Sequence, residues 1–335
     1  MKKPLVALTM GDPAGIGPEI CLKASLSEKI RKICVPIIVG DFKIIKKASN
    51  LLNCKVKLRK IKEDEIKNIK ETESILIYDI SSKYSKNFKF SHPSADSGKA
   101  SLLAIEKAVF LYKKGLTEII VTAPINKYSI KLAGSKFPGH TEMLAHLTNT
   151  KKFAMMLIGG KIKVILVTIH IPLKEVSKSI SKEKILEKIE LANLGGKLLG
   201  IKNPKIAVCG LNPHAGDSGV IGDEEIKIIT PACEIAKKRK INVFGPFPAD
   251  TLFYKVNKGE YDIVVSMYHD QGLIPLKMLY FEKGVNATIG LPLIRTSPDH
   301  GTAYDIAWRG IANPSSIEEA IKIAIKMWKN KVKLK

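Results

Sequence analysis

Three histidines sit where short apolar runs stop: His170 in VILVTIHIPL, His214 in IAVCGLNPHAG and His269 in DIVVSMYHDQG. Each run is β-branched and bounded by Gly or Pro, so each reads as a buried strand with its histidine at the C-terminal end. Open α/β sheets bind ligands at that end. Neutral imidazole is the commonest side-chain ligand for borderline divalent metals, and three such ligands leave a coordination position open for substrate. A single metal site held by His170, His214 and His269 is therefore expected. The alternative is three unrelated loop histidines with local hydrogen bonds.

Other residue types suited to chemistry lie near them. GPFPADTLF supplies Asp250, and YHDQGLIPLK supplies Asp270 and Lys277 beside His269. Carboxylates near a bound metal can orient the imidazoles or take a substrate proton, although an Asp beside Pro or Gly more commonly caps a turn. Lys277 lies two helical turns past His269 and shares its direction if the stretch is helical. FPGHTEMLA places His140 and Thr141 at the head of a helix, with Glu142 in its first turn, where amide donors suit a phosphate or carboxylate; capping by Thr141 is the alternative. In GVNATIGLPLIRTSPDHGTAYDIA, Asn286 and Arg295 are candidates for a phosphate clamp, Arg by its fork geometry; a surface ion pair is the alternative for an isolated loop Arg. MGDPAGIGPEI joins the first strand to a helix starting near Pro18. Its glycines allow close approach of backbone to a ligand, or simply a tight turn. It is not a GxGxxG fingerprint, because Ile20 stands where the third Gly or Ala belongs. SGKAS, at Ser97 to Ser101, reads as a helix start.

The elements that must position these residues alternate. Strand-like runs (Val6 to Thr9, Val35 to Val39, Ile75 to Tyr78, Ile119 to Val121, Val164 to Thr168, Ile206 to Cys209, Ile263 to Ser266) are interspersed with helical patterns at Lys99 to Lys114, Lys182 to Leu199, Glu224 to Lys238 and Ile317 to Lys329. That order predicts an α/β protein, its mostly parallel sheets covered by helices. At 335 residues and 45% apolar content the chain can bury a full core in two lobes. No apolar stretch reaches the ~20 residues of a spanning helix, and the N-terminus lacks a signal-peptide pattern, so the cytoplasm is the expected compartment. Five widely spaced cysteines without a CxxC pair predict small buried hydrophobes. The net charge of +23 raises a polyanion-binding alternative, but only five of the 55 basic residues are arginine (Arg31, Arg59, Arg239, Arg295, Arg309), aromatics are 6%, and the lysines are dispersed over helix faces. A solvated surface accounts for that charge better than a nucleic-acid or membrane site.

The string HGTAYDIA, from His300 to Ala307, resembles the nucleotide-binding loop of the isocitrate and isopropylmalate dehydrogenase superfamily. Together with MGDPAGIGPEI, TAPINK, FPGHTEMLA, GLNPHAGDSG, GPFPADT, HDQGLIPLK and GVNATIGLPLIRTSPDHGTA, it resembles, in order and over nearly the whole chain, the 4-hydroxythreonine-4-phosphate dehydrogenase family of vitamin B6 synthesis. The resemblance implies a two-lobed fold with its active site in a cleft; lobes are expected at 1–125 plus 300–335 and at 126–299. It implies one divalent metal (zinc, magnesium or cobalt) on His170, His214 and His269, in a homodimer whose subunits share sites. Substrate contacts are implied from His140, Thr141, Lys277, Asn286 and Arg295. NAD or NADP is expected at His300, Gly301, Thr302, Ala303 and Asp305. The implied reaction oxidises 4-phosphooxy-L-threonine to 2-amino-3-oxo-4-phosphooxybutanoate, which decarboxylates to 3-amino-2-oxopropyl phosphate. Asp250, Asp270 and Lys277 are the base candidates, and a dehydrogenase for a threonate 4-phosphate is the near alternative. Trp308 and Arg309 depart from a stretch that is usually small and Gly-rich in the family, which leaves NAD against NADP open.

Overall fold

A computed structural model describes residues 3–69, 72–81 and 89–334. In these, twelve strands alternate with helices: β1 (Leu5–Thr9), β2 (Val35–Gly40), β3 (Leu58–Ile61), β4 (Ile75–Asp79), β5 (Ile119–Thr122), β6 (Ala154–Gly159), β7 (Ile162–Leu166), β8 (Ile206–Cys209), β9 (Val243–Phe247), β10 (Ile263–Ser266), β11 (Val285–Ile289) and β12 (Ile294–Pro298). The chain forms two compact units, Met1–Lys151 with Leu291–Trp328, and Lys152–Gly290 with Lys329–Lys335. These seams differ from the expected breaks at 125/126 and 299/300. The Lys127–Leu132 and His140–Leu147 helices pack on the Ala95–Lys113 helix, and β12 pairs with β5, so all three stay with the first unit.

In the first unit the strand order is β3-β4-β2-β1-β5-β12, and every pairing is parallel. β1, β2 and β5 are buried along their whole length. Continuous apolar strands of this kind suit a parallel sheet covered on both faces by helices. The second unit has the order β11-β6-β7-β10-β8-β9; β6 runs against its neighbours β11 and β7, and the rest are parallel. Its core interlocks Val164, Leu166, Ala207 and Val264 from the strands with Leu252, Val256, Leu273 and Leu276 from the Ala249–Lys258 and His269–Tyr280 helices.

The expected helices are present. Ser94 caps the Ala95–Lys113 helix by accepting from Ser97 N, and Ser181 caps Lys182–Leu198 by accepting from Lys184 N. The segment from Gly284 to Pro298, absent from the expected strands, forms β11 and β12, with Val285, Ala287, Ile289 and Ile294 buried. Cys21, Cys34, Cys209 and Cys233 are buried free thiols. No helix among the described residues is long and apolar enough to cross a membrane.

Candidate active-site residues

The first unit buries a cation beside an imidazole. Arg295, in β12, is 2% exposed and donates from Nε (3.3 Å) and Nη2 (2.7 Å) to Thr122 Oγ1 at the end of β5. Burial pushes its pKa down to about 10, with the Glu142 carboxylate opposing, so the guanidinium stays charged at neutral pH. His140 opens the His140–Leu147 helix, whose N-cap is Gly139 with no side-chain cap. Thr141 is buried and does not serve as the cap. Burial, and then the Arg295 charge, hold the His140 pKa well below the usual histidine range, so the ring is neutral. Its Nε2 is buried with no hydrogen-bond partner. A charged guanidinium, an orphan imidazole nitrogen and a helix start form a donor set suited to a phosphate or carboxylate. Thr122 belongs to the TAPINK string, yet sequence reasoning did not single it out; its position at the end of an apolar run was the available signal.

A second feature of this unit is the seat of the His300–Asp305 segment. Ile16 N donates to Thr302 O (3.0 Å), and a Cβ on Gly15 would lie 2.8 Å from that carbonyl, which explains the glycine. Gly301 and Asp305 are exposed, and a Cβ on Gly301 would meet nothing within 4 Å. His300 Nδ1 lies 3.0 Å from Gly301 O, and Ala303 adopts a left-handed backbone (φ 45°). Thr302 is buried, whereas Gly301 and Asp305 face solvent. Trp308 is fixed by its backbone N–H to Glu19 Oε1 and by Nε1 to Pro13 O (3.0 Å), and it packs on Phe90 with ring centroids 4.3 Å apart.

The second unit brings two of the three strand-end histidines together. The β7–β10 pairing continues past the strand ends through Val167 N to Ser266 O and Thr168 N to Met267 O, which delivers His170 and His269 side by side, with ring centroids 5.7 Å apart. Two imidazoles binding one ion at ~2.0–2.1 Å fit that spacing. His269 heads the His269–Tyr280 helix, and its Nδ1 is 2.7 Å from Asp270 Oδ1, a contact that leaves Nε2 for a metal. A pocket of about 160 Å³ beside them is lined by Thr168, Ile171, Leu173, Tyr268, His269 and Asp270.

His214 stands on a turn, Pro213–Gly219, in which His214, Ala215, Asp217 and Ser218 all have left-handed backbones. The buried Glu225 carboxylate anchors the start of that turn by accepting from Leu211 N (2.7 Å) and Asn212 N (2.8 Å). Among the described residues no group of three or more His, Cys, Asp or Glu side chains gathers as a metal site. This chain by itself therefore offers the His170–His269 pair but does not bring His214 to it. Lys277 is half-buried on the same helix as His269, and Asp250 is exposed in the first turn of Ala249–Lys258, accepting from Thr251 N. Asn286, on β11, donates to Met155 Sδ (3.4 Å), and its Oδ1 is buried without a partner.

The family model described as pyridoxal phosphate biosynthetic protein PdxA matches residues 32–324. Over 96% of this chain and 95% of the relative, the sequence is 46% identical to a 4-hydroxythreonine-4-phosphate dehydrogenase of Desulforapulum autotrophicum. Over 95% of this chain and 96% of the relative, it is 44% identical to a D-threonate 4-phosphate dehydrogenase of Cupriavidus necator. A solved structure of 4-hydroxythreonine-4-phosphate dehydrogenase from Klebsiella pneumoniae aligns with a TM-score of 0.88 at 40% identity, covering 97% of this chain and 98% of that one.

Proposed function

Because this chain belongs to the pyridoxal phosphate biosynthetic protein PdxA family, we propose that it is a 4-hydroxythreonine-4-phosphate dehydrogenase, an oxidoreductase of vitamin B6 synthesis. Its substrate is 4-phosphooxy-L-threonine, oxidised at the secondary alcohol to 2-amino-3-oxo-4-phosphooxybutanoate, which loses carbon dioxide to give 3-amino-2-oxopropyl phosphate. The observation that carries this reading is the buried Arg295 beside His140, whose Nε2 has no partner in the protein.

Arg295 supplies a fixed fork for the substrate phosphate. Neutral His140 can share the phosphate or an adjacent hydroxyl without adding a second positive charge to a buried site. Thr141 at the same helix start, Lys277 and Asn286 are the further substrate contacts; the orphan Asn286 Oδ1 is available to a donor such as an amino group. Binding energy from the phosphate end orients the reacting carbon. His170 and His269 would hold a divalent ion, with His214, from this subunit or its partner, as third ligand. Bound there, a divalent ion would supply Lewis-acid chemistry to the substrate oxygen. Asp270 is engaged with His269, which suits it to orienting that ring; Lys277 and Asp250 are then the base candidates. The His300–Asp305 segment would seat NAD or NADP, which accepts the hydride.

A homodimer is supported by the apolar side chains Ile274, Met278 and Phe281, exposed at 63%, 77% and 77% on and just after the His269 helix. Contiguous exposed apolar groups of this kind mark interaction surfaces. A threonate 4-phosphate is the second substrate reading, favoured by the near-equal likeness to proteins of both names. The test is a side-by-side assay of cofactor reduction and carbon dioxide release with the two phosphorylated substrates. Higher kcat/KM for 4-phosphooxy-L-threonine is expected. Higher kcat/KM for a threonate 4-phosphate overturns the assignment in favour of the second reading.

A further inference from the structure

Asp12 is fully buried, and the groups that bond its carboxylate are neutral donors: Ala14 N to Oδ1 at 2.8 Å, Tyr304 Oη to Oδ2 at 2.8 Å, Ser97 Oγ to Oδ2 at 3.5 Å, and the Ser129 hydroxyl. Burial raises its pKa despite those bonds. A carboxyl kept in such a place at a cost in desolvation calls for a use, since a neutral acceptor would complete a turn more cheaply. Its longest-range partner is Tyr304, 292 positions away in sequence and inside the His300–Asp305 segment, with Ser129 Oγ 3.3 Å from the same phenol.

The neighbouring contacts repeat the pattern. Thr302 O accepts from Ile16 N, Trp308 N donates to the fully buried Glu19, and Trp308 Nε1 donates to Pro13 O. Thr302, Tyr304 and Trp308 are thus seated on 12–19, the loop whose glycines left open a choice between a ligand loop and a tight turn. We infer that Asp12 and Tyr304 are positioning residues for the nicotinamide cofactor: their hydrogen bond holds the His300–Asp305 segment in its cofactor-binding shape, and the Gly-rich loop acts as its saddle. Burial strengthens this tether, because no water competes for either partner. Tyr304 acts through the main chain of its own loop, whose solvent-facing Gly301 and Asp305 are the groups left to meet the cofactor.

This inference rests on the reading of the His300–Asp305 segment as the cofactor site, and the test separates the two. Cofactor and 4-phosphooxy-L-threonine affinities are measured by calorimetry on the metal-loaded enzyme for wild type, Tyr304→Phe, Asp12→Asn, the double variant, and the loop variants His300→Ala and Asp305→Ala. Thermal midpoints check that each variant is folded; Tyr304→Phe removes only a hydroxyl and keeps the result readable if Asp12→Asn misfolds. Tyr304→Phe should weaken the cofactor about tenfold, in line with loss of one buried hydrogen bond, and leave substrate affinity within about twofold. The double variant should be no worse than the poorer single one, because the two groups act through one bond. A cofactor affinity that Tyr304→Phe leaves unchanged, with the loop variants still harmful, overturns the tether alone. Loop variants without effect on the cofactor overturn the cofactor site and the tether together.

Discussion

Arg295 and Thr122 lie 173 positions apart in sequence, yet two nitrogens of the guanidinium share the threonine hydroxyl at the junction of β12 and β5. The contact turns a flexible side chain into a fixed fork. Thr122→Val keeps the shape and removes the acceptor, leaving a buried cation short of a partner. A loss of about 1–3 kcal/mol in urea unfolding is expected. Arg295→Lys keeps the charge and loses the fork, so kcat/KM should fall roughly 10- to 100-fold. An unchanged kcat/KM would show that the phosphate is bound elsewhere.

His140 sets a pH dependence of stability. Its folded pKa lies well below the usual 6.5, first because it is buried and second because Arg295 is near. A depressed pKa contributes stability that is present above about pH 6.5 and is lost as pH falls through the folded value, because the unfolded chain takes up a proton that the folded chain refuses. The thermal midpoint should therefore drop between pH 7 and pH 5, and drop less in His140→Gln. Parallel curves for the two proteins would contradict this.

The adjacent rings of His170 and His269 predict a shared ion. Replacing either by Ala should lower bound zinc or cobalt and activity together, whereas Asp270→Asn, which alters only the orientation of His269, should weaken metal affinity about 10- to 100-fold. Metal content is read by elemental analysis after dialysis. Full activity after exhaustive chelation would sink the idea.

If subunits share sites, an inactive His170→Ala protein mixed with an inactive Arg295→Ala protein should regain activity, provided that the two residues serve one site from different chains. Met278→Asp, on the exposed apolar face, should shift light scattering toward monomer and reduce activity. A fully active monomer at assay concentration would refute the dimer.

Two glycines make a paired test of packing. A Cβ at Gly98 would fall 2.1 Å from Ser129 O, where the Ala95–Lys113 and Lys127–Leu132 helices meet, while one at Gly301 meets nothing within 4 Å. Gly98→Ala should cost about 1–3 kcal/mol, and Gly301→Ala should change denaturant midpoints little. Equal midpoints for the two variants would show that the helices have room to part.

Short-range pattern was enough for much of this protein. The apolar runs from Val6 to Thr9, Ile206 to Cys209 and Ile263 to Ser266 are strands because β-branched residues bounded by turn residues have few other folded uses, and the spacing in Lys182 to Leu199 is that of a helix with one buried face. The strand-end positions of His170 and His269 and the helix-start position of His140 were legible for the same reason. Tertiary structure alone decided the rest. Asn286 and Arg295 lie on β11 and β12, two strands absent from the expected set, since strand pairing is settled by distant partners as well as by the local run. His170 and His269 meet because β7 and β10 are neighbours, whereas His214, on an equally strand-like pattern, leaves β8 on a left-handed turn and does not complete a three-residue cluster. Asp12 and Tyr304, or Thr122 and Arg295, carry no mutual signal along the chain. Their burial in one place follows only when the sheet has brought them together, and burial is what gives each pair its strength.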